Sequence, residues 1–333
     1  MSAATRGREM LIGPEQEQVL LSAATAAPSL HNSQPWQFGV GPRRVELYAD
    51  ASRQLPNADT AGRSLLISCG AALFNLRVAA EHLGLRPWVR LLPDADDPTL
   101  VATVDVENRH GRAGPLKAYA TAIPARRTNR RPFRDQTIPG SVLTNLAEAA
   151  WAENAMLRIY EDPNEVARII DLLHEADLVE RTDPTLRRER GSWVGRAGGG
   201  EGIPEPSLGP RPREPRTAFR ELGDTVRGPR DHAEFEKTPT LAILSTTHDE
   251  RIDWVRAGQA LQRLLLTATK AGLSASFMNQ PLEQDALRWL VRSPLTGIGH
   301  SQMILRIGYG EPVPATPRRP ISAVRRELRD APR

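Results

Sequence analysis

Cysteine occurs once, at Cys69, so no intrachain disulfide can form. A single thiol also excludes paired CxxC metal and redox spacings, and it suits a reducing, cytoplasmic compartment. Lysine is almost as scarce: Lys117, Lys237 and Lys270 are the only three among 44 basic residues. The remaining arginines suit bidentate binding of phosphate or carboxylate, though a genome-wide compositional bias produces the same skew. Aromatic residues make up 5% of the chain and do not interleave with basic runs, which argues against base-stacking platforms and a nucleic-acid partner. The start, Met1 to Glu9, is polar and small, and no run approaches the ~20 apolar residues of a membrane span. There is no Walker loop and no HExxH, since His174-Glu175 lacks its second histidine. Gly195–Gly200 follows no strand, so it is not a dinucleotide fingerprint. No metal site is expected.

What is present describes a folded chain. Its 333 residues, 40% hydrophobic and 25% charged, leave room for a large core or two domains. Pro14 through Ala27 reads as a helix with Val19, Leu20, Ala23 and Ala27 on its apolar stripe. Gln37–Val40 and Val45–Tyr48 flank Gly41-Pro42 as a hairpin candidate. Gly62 to Gly84 is apolar on most sides and should be a buried helix. Trp88–Leu92 and Leu100–Val106 read as strands.

An internal repeat is visible. Gly70-Ala-Ala-Leu73 and Gly84-Leu85 align with Gly258-Gln-Ala-Leu261 and Gly272-Leu273 at one spacing, with Leu76 on Leu264 and Ala80 on Ala268. Strand candidates bracket both helices, Leu241–Ser245 and Met303–Gly308 in the second case. Chance similarity of two buried helices explains this less well than a repeat does. Between the halves lies Arg187–Pro239, rich in Gly, Pro and Arg. A stretch this long is a functional lid or disorder. Trp193, Phe219 and Leu222 argue that part of it docks, and glycines 198–200 would allow it to bend.

Three segments could carry chemistry. The first, Pro28-Ser29-Leu30-His31-Asn32-Ser33-Gln34-Pro35-Trp36, sets five hydrogen-bonding side chains between two prolines. Such a loop can present polar groups to a ligand or satisfy its own backbone; spacing alone favours the second. The second, Arg126-Arg127-Thr128-Asn129-Arg130-Arg131, is an anion site or a solvated basic run. The third, Thr316-Pro317-Arg318-Arg319-Pro320, closes a proline-stiffened arm or is an exposed tail.

The first segment resembles the P-S-x-x-N-x-Q-P-W loop of the FMN-dependent nitroreductase family, and the second resembles that family's R-R-S-x-R phosphate segment. The whole chain is most similar to the Acg-type members. The resemblance implies an α+β, nitroreductase-like fold of two fused repeats, with mixed β-sheets around buried helices. It implies a first half over 1–115 and a second over 116–333, with 187–239 inserted as a lid or linker. In the family the phosphate segment precedes the polar loop, whereas here it follows by about a hundred residues. That order suggests a dimer fused into a monomer, with one FMN site complete and the other stripped near Ala150–Asn154. The implied cofactor contacts are Pro28, Ser29, His31, Asn32, Gln34, Arg126, Arg127, Thr128, Arg130 and Arg318, with Arg318 favoured over Arg319. Met278, Asn279 and Gln280 are implied beside the flavin ring, although Asn279-Gln280 replaces the family's usual Glu-Gly. The implied activity passes a hydride from NAD(P)H through FMN to nitroaromatic or quinone-like acceptors. The alternative is a non-catalytic, FMN-sequestering protein. A flavin carries its own redox chemistry, so no catalytic side chain is singled out.

Overall fold

The computed structural model describes residues 11–195, 200–226, 228–291 and 299–328. The polar start Met1 to Glu9 and the bend expected at glycines 198 and 199 lie outside the described residues. Pro14 opens helix α1 (Pro14–Thr25), where its missing N–H costs nothing, and Glu15 and Glu17 sit in the first turn. Leu20, Leu21 and Ala24 form its buried face. Val19, expected on that face, is 39% exposed, because the stripe lies one residue further on. Strands β1 (Trp36–Gly41) and β2 (Arg44–Ala49) form the expected hairpin. Helix α2 (Arg63–His82) follows, then β3 (Leu85–Leu91) and β4 (Leu100–Asn108).

The second set begins with α3 (Gly140–Trp151) and β5 (Met156–Tyr160). Two helices not read from the sequence come next, α4 (Pro163–Thr182) and α5 (Pro184–Trp193), each capped by an aspartate, Asp162 and Asp183, whose carboxylate accepts backbone N–H groups. A short parallel pair, β6 (Arg211–Pro212) and β7 (His232–Ala233), lies in the insertion. Then come β8 (Thr240–Thr246), α6 (Arg251–Lys270), β9 (Ser274–Phe277), β10 (His300–Gly308) and β11 (Arg325–Arg326).

One sheet runs β11-β1-β2-β4-β3 and the other β5-β8-β10-β9. Leaving out β11, each sheet has its strands in the same order with antiparallel neighbours. β11 joins β1 in parallel, so the C-terminal arm completes the N-terminal sheet. Helices α2 and α6 lie against each other along most of their lengths. α2 has the length and hydropathy of a membrane-crossing helix, which the run-by-run reading passed over, but 89% of that window is buried inside the protein. Gly84 (φ 77) and Gly272 (φ 75) end the two helices in the left-handed conformation that glycine adopts freely.

Candidate active site

The loop over residues 26–35 leaves α1 with three non-glycine residues in the left-handed region: His31 (φ 46), Asn32 (φ 57) and Gln34 (φ 52). Each costs roughly 1–2 kcal/mol, so the surroundings must hold them. Ser29 Oγ accepts the Gln34 N–H at 2.9 Å. Asn32 Nδ2 donates to the carbonyls of Gly202 (2.9 Å) and Pro317 (3.0 Å). Gln34 Nε2 donates to Gly200 O at 2.7 Å, and its Oε1 accepts the Arg319 N–H at 2.9 Å. Asn32 and Gln34 therefore fasten the insertion and the C-terminal arm to the loop, and neither faces the cavity beside it.

That cavity has a volume of about 60 Å³. Pro28, Ser29, Leu30 and His31 form one wall, and Ser64, Ile67 and Ser68 of α2 another. The opposite side comes from Arg130, Leu261, Phe277, Asn279 and Met303. Ile203, Arg220 and Leu222 of the insertion close the remaining side. Among the described residues no carboxylate lines it. Arg130 donates Nη1 to Ser207 O at 3.0 Å, and burial, then Arg220, pushes its pKa down to about 10. Burial would lower Arg220 as well, but Glu180 and Glu283 outweigh it and hold that guanidinium above its ordinary value. His31 is 6% exposed, and neither ring nitrogen has a partner. Burial first, then Arg220, Arg190 and Arg130, keeps its pKa well below the usual histidine range, so the imidazole is neutral.

Beyond Ala26, at the other end of the loop, a second cleft is lined by Arg126, Arg127, Thr128, Thr316 and Arg318. Arg126 is 5% exposed, and its Nε and Nη1 find no partner. Burial, then Arg318 and Arg127, pushes its pKa down to about 9. Burial and Arg127 bring Arg318 to about 10, while its Nε donates to Thr25 O at 2.7 Å and its Nη2 to the Ala26 and Ala27 carbonyls. Among the described residues no carboxylate pairs with any of the three arginines. Guanidinium groups crowded together with N–H groups unspent suit an anion with several oxygens, such as a phosphate.

The expected residues thus fall into groups. Arg126, Arg127, Thr128 and Arg318 come together around the anion cleft, and Arg319 turns away to Gln34 and Ala323. Pro28, Ser29, His31, Arg130 and Asn279 meet in the cavity beside the loop. Met278 and Gln280 do not line it. Met278 packs in the core with Ile169, Leu173 and Ile304, and its N–H is spent on Ile304 O. Gln280 is buried, donating to Asp177 Oδ1 and Phe219 O. Sequence reasoning missed Ser64, Ile67, Ser68, Leu261, Met303, Ile203 and Arg220. Two serines one turn apart on an otherwise apolar helix were the available signal; Ser68 Oγ bonds back to Ser64 O at 2.7 Å.

Segment 187–239 is tied both to α4 and to residues 53–58. Arg190 and Arg220 reach Glu180 of α4 in a buried network with Asp224 and Glu283. Leu222 packs with Val194, Ile203 and Leu208, Phe219 meets Phe235 edge-on at 5.4 Å, and Trp193 lies under Arg53 at 5.4 Å. Arg53 also pairs with Glu201, and Glu189 accepts the N–H groups of Asn57 and Ala58.

A nitroreductase family model matches residues 123–309. The Mycobacterium tuberculosis H37Rv protein named "Putative NAD(P)H nitroreductase Rv3131" is 35% identical over 321 residues, covering 93% of this chain and 92% of its own. "Putative NAD(P)H nitroreductase acg" of the same strain is 32% identical over 308 residues, covering 90% and 92%. Among solved structures, the FMN-dependent nitroreductase NfnB from Mycobacterium smegmatis, in complex with NADPH, aligns with 64% of this chain and all of its own at 18% identity and a TM-score of 0.38. With more than half of its residues matched by the family and relatives this similar along nearly its full length, the chain belongs to the nitroreductase family.

Proposed function

We propose that this protein binds one FMN between its two halves and works as an NAD(P)H-dependent oxidoreductase on nitroaromatic or quinone-like acceptors, with the insertion acting as a lid that restricts turnover. The observation that carries the reading is Arg126, which lines a cleft with Arg127, Thr128 and Arg318 and has two buried guanidinium nitrogens without a hydrogen-bond partner. Those four residues would hold the phosphate. Ser29, Arg130 and Asn279 would surround the ring, and Ser64 and Ser68 offer hydroxyls from α2. When bound, the flavin supplies two-electron hydride chemistry between NAD(P)H and the acceptor. The protein's part is to fix the phosphate and exclude water with Ile203, Leu222 and Leu261.

The two halves stand for two nitroreductase-like subunits in one polypeptide, and a monomer is the expected assembly. The shared strand order supports this. One site rather than two follows from loop length. The connection from α1 to β1 has ten residues (26–35), whereas the corresponding link from α3 to β5 has four (152–155), too few to build a second polar loop.

A second reading is a flavin-binding protein without turnover, favoured by Ile203 and Leu222, which close one side of the cavity. One experiment separates the two. Flavin released from denatured holoprotein is identified and counted, and the bound flavin is then challenged with NAD(P)H without oxygen. One FMN per chain that bleaches supports the oxidoreductase; one FMN that resists supports the second reading. FAD, or two flavins per chain, overturns both.

A further inference from the structure

We propose that His31 is the residue that hydrogen-bonds the electron acceptor, through an imidazole whose two nitrogens are left for a ligand. This rests on the flavin-dependent reading above.

A buried polar atom without a partner is costly, and most are satisfied. His31 has two such atoms on one ring, on a residue whose backbone is itself strained at φ 46, ψ 24. Its place in the cavity says which ligand completes it. The charges that act on it are Arg220, Arg190 and Arg130, and the first two belong to the insertion side. The anion cleft with Arg126 and Arg318 lies past the opposite end of the loop, beyond Ala26. The turn Leu30–Asn32 that carries His31 packs against α5, and Asn32 O accepts the Gly202 N–H at 3.3 Å, so His31 stands on the 187–239 side of the cavity, away from the anion cleft.

The chemistry narrows the ligand further. A neutral imidazole offers one N–H and one lone pair. Among the described residues the cavity is lined by two guanidinium groups, Arg130 and Arg220, and by no carboxylate, so the N–H is best matched by an oxygen of high electron density. A quinone carbonyl or an aromatic nitro group on a flat apolar ring meets that requirement, with the ring against Leu30, Ile203 and Leu222. A ligand that brings a cation does not.

The test uses the full chain loaded with FMN, as wild type, His31→Leu and His31→Gln, at equal flavin content. Menadione binding to the oxidised holoproteins is titrated by the change in flavin absorbance, which needs no turnover. Steady-state reduction of menadione is compared with that of ferricyanide, an outer-sphere acceptor that needs no hydrogen bond. For His31→Leu the expected result is about a tenfold weaker menadione dissociation constant, a matching rise in KM, and unchanged ferricyanide reduction and FMN affinity. His31→Gln, which keeps one donor, recovers part of the loss. Equal losses of menadione and ferricyanide activity, or weakened FMN binding with unchanged menadione affinity, would overturn the assignment and make His31 a cofactor or structural residue. A wild-type chain that takes up no FMN removes the underlying reading instead. If the leucine variant misfolds, glutamine against wild type still decides the matter.

Discussion

Gly70 and Gly258 meet where α2 crosses α6, and each is the other's counterpart. A Cβ on Gly70 would run into the carbonyl oxygen of Val255, and a Cβ on Gly258 into that of Ile67. The relation is reciprocal: residues 67 and 70 of one helix stand to 255 and 258 of the other at a constant offset of 188 (255 − 67 = 258 − 70). A two-fold interface contacts itself in this way, with the same patch used by both partners.

Alanine at either position must push backbone against backbone, with no flexible side chain to yield. We expect Gly70→Ala and Gly258→Ala each to destabilise the fold by about 1–3 kcal/mol or more, the usual cost of overpacking. Gly140→Ala is the control, because a Cβ there meets nothing within 4 Å and the position lies at a helix start. Thermal melts of the three variants check this. A melt as high for Gly70→Ala as for Gly140→Ala would mean the helices can separate without cost.

Arg126 yields a prediction with two signs. In the flavin-free protein its buried guanidinium has no counter-ion and is repelled by Arg318 and Arg127. Arg126→Ala should therefore melt no lower than wild type without flavin. With flavin it should bind FMN roughly tenfold to hundredfold more weakly, since a charge-assisted contact is worth about 1.5–3 kcal/mol. The paired measurement is apo melting temperature and FMN affinity. A stability loss with normal affinity would make Arg126 a structural residue.

The polar loop and the arginine-rich segment 126–131 were legible as units because their groups are contiguous in sequence. The matching glycines of α2 and α6 were legible because glycine at a close helix crossing cannot drift. What escaped was set by tertiary pairing. Arg306 is fully buried in β10, stacked on Phe133 at 4.2 Å and paired with Glu236 at 2.9 Å, and nothing local marks it apart from the other arginines. Asn32 and Gln34 read as ligand contacts because their amides match a motif. Their partners, Gly200, Gly202, Pro317 and Arg319, lie up to 285 residues away. The composition of 187–239 signalled disorder, yet Arg190 and Arg220 find buried carboxylates on α4 and near β9 that no local pattern announces.

Asp177, below the insertion, gives a pH signature. Burial raises its pKa to about 6, although Arg220, Arg181 and the Gln280 amide act in the other direction. A carboxyl whose pKa is higher in the fold than in the unfolded chain binds more protons when folded between about pH 4 and 6. Its contribution to stability is therefore present in acid and is lost as pH rises through that window. Asp177→Asn keeps an oxygen for Gln280 but cannot ionise. It should raise stability above pH 7 by up to about 3 kcal/mol and change it little below pH 4. Urea titrations from pH 4 to 8 test the difference between variant and wild type; a constant difference would show that Asp177 keeps its ordinary pKa.

The insertion is the last point at which structure and turnover can be separated. Arg53 holds it from the first half through an ion pair to Glu201 and by stacking on Trp193, while its Nε donates to Ser33 O at 2.5 Å. Arg53 does not line the cavity, so its removal loosens the cover without altering the walls. A partly exposed pair of this kind is worth up to about 1 kcal/mol, enough to raise an open population roughly fivefold. In anaerobic stopped-flow at equal flavin content, wild type should therefore be reduced slowly by NADPH, and Arg53→Ala several-fold faster. Limited trypsin digestion should cut the variant sooner within 187–226. Fast reduction of wild type would leave an ordinary oxidoreductase with no restricting lid. Slow reduction of both, with the variant already open to trypsin, would move the obstacle from the cover to the ring environment around Asn279, the one residue of the replaced Asn279-Gln280 pair that reaches the cavity.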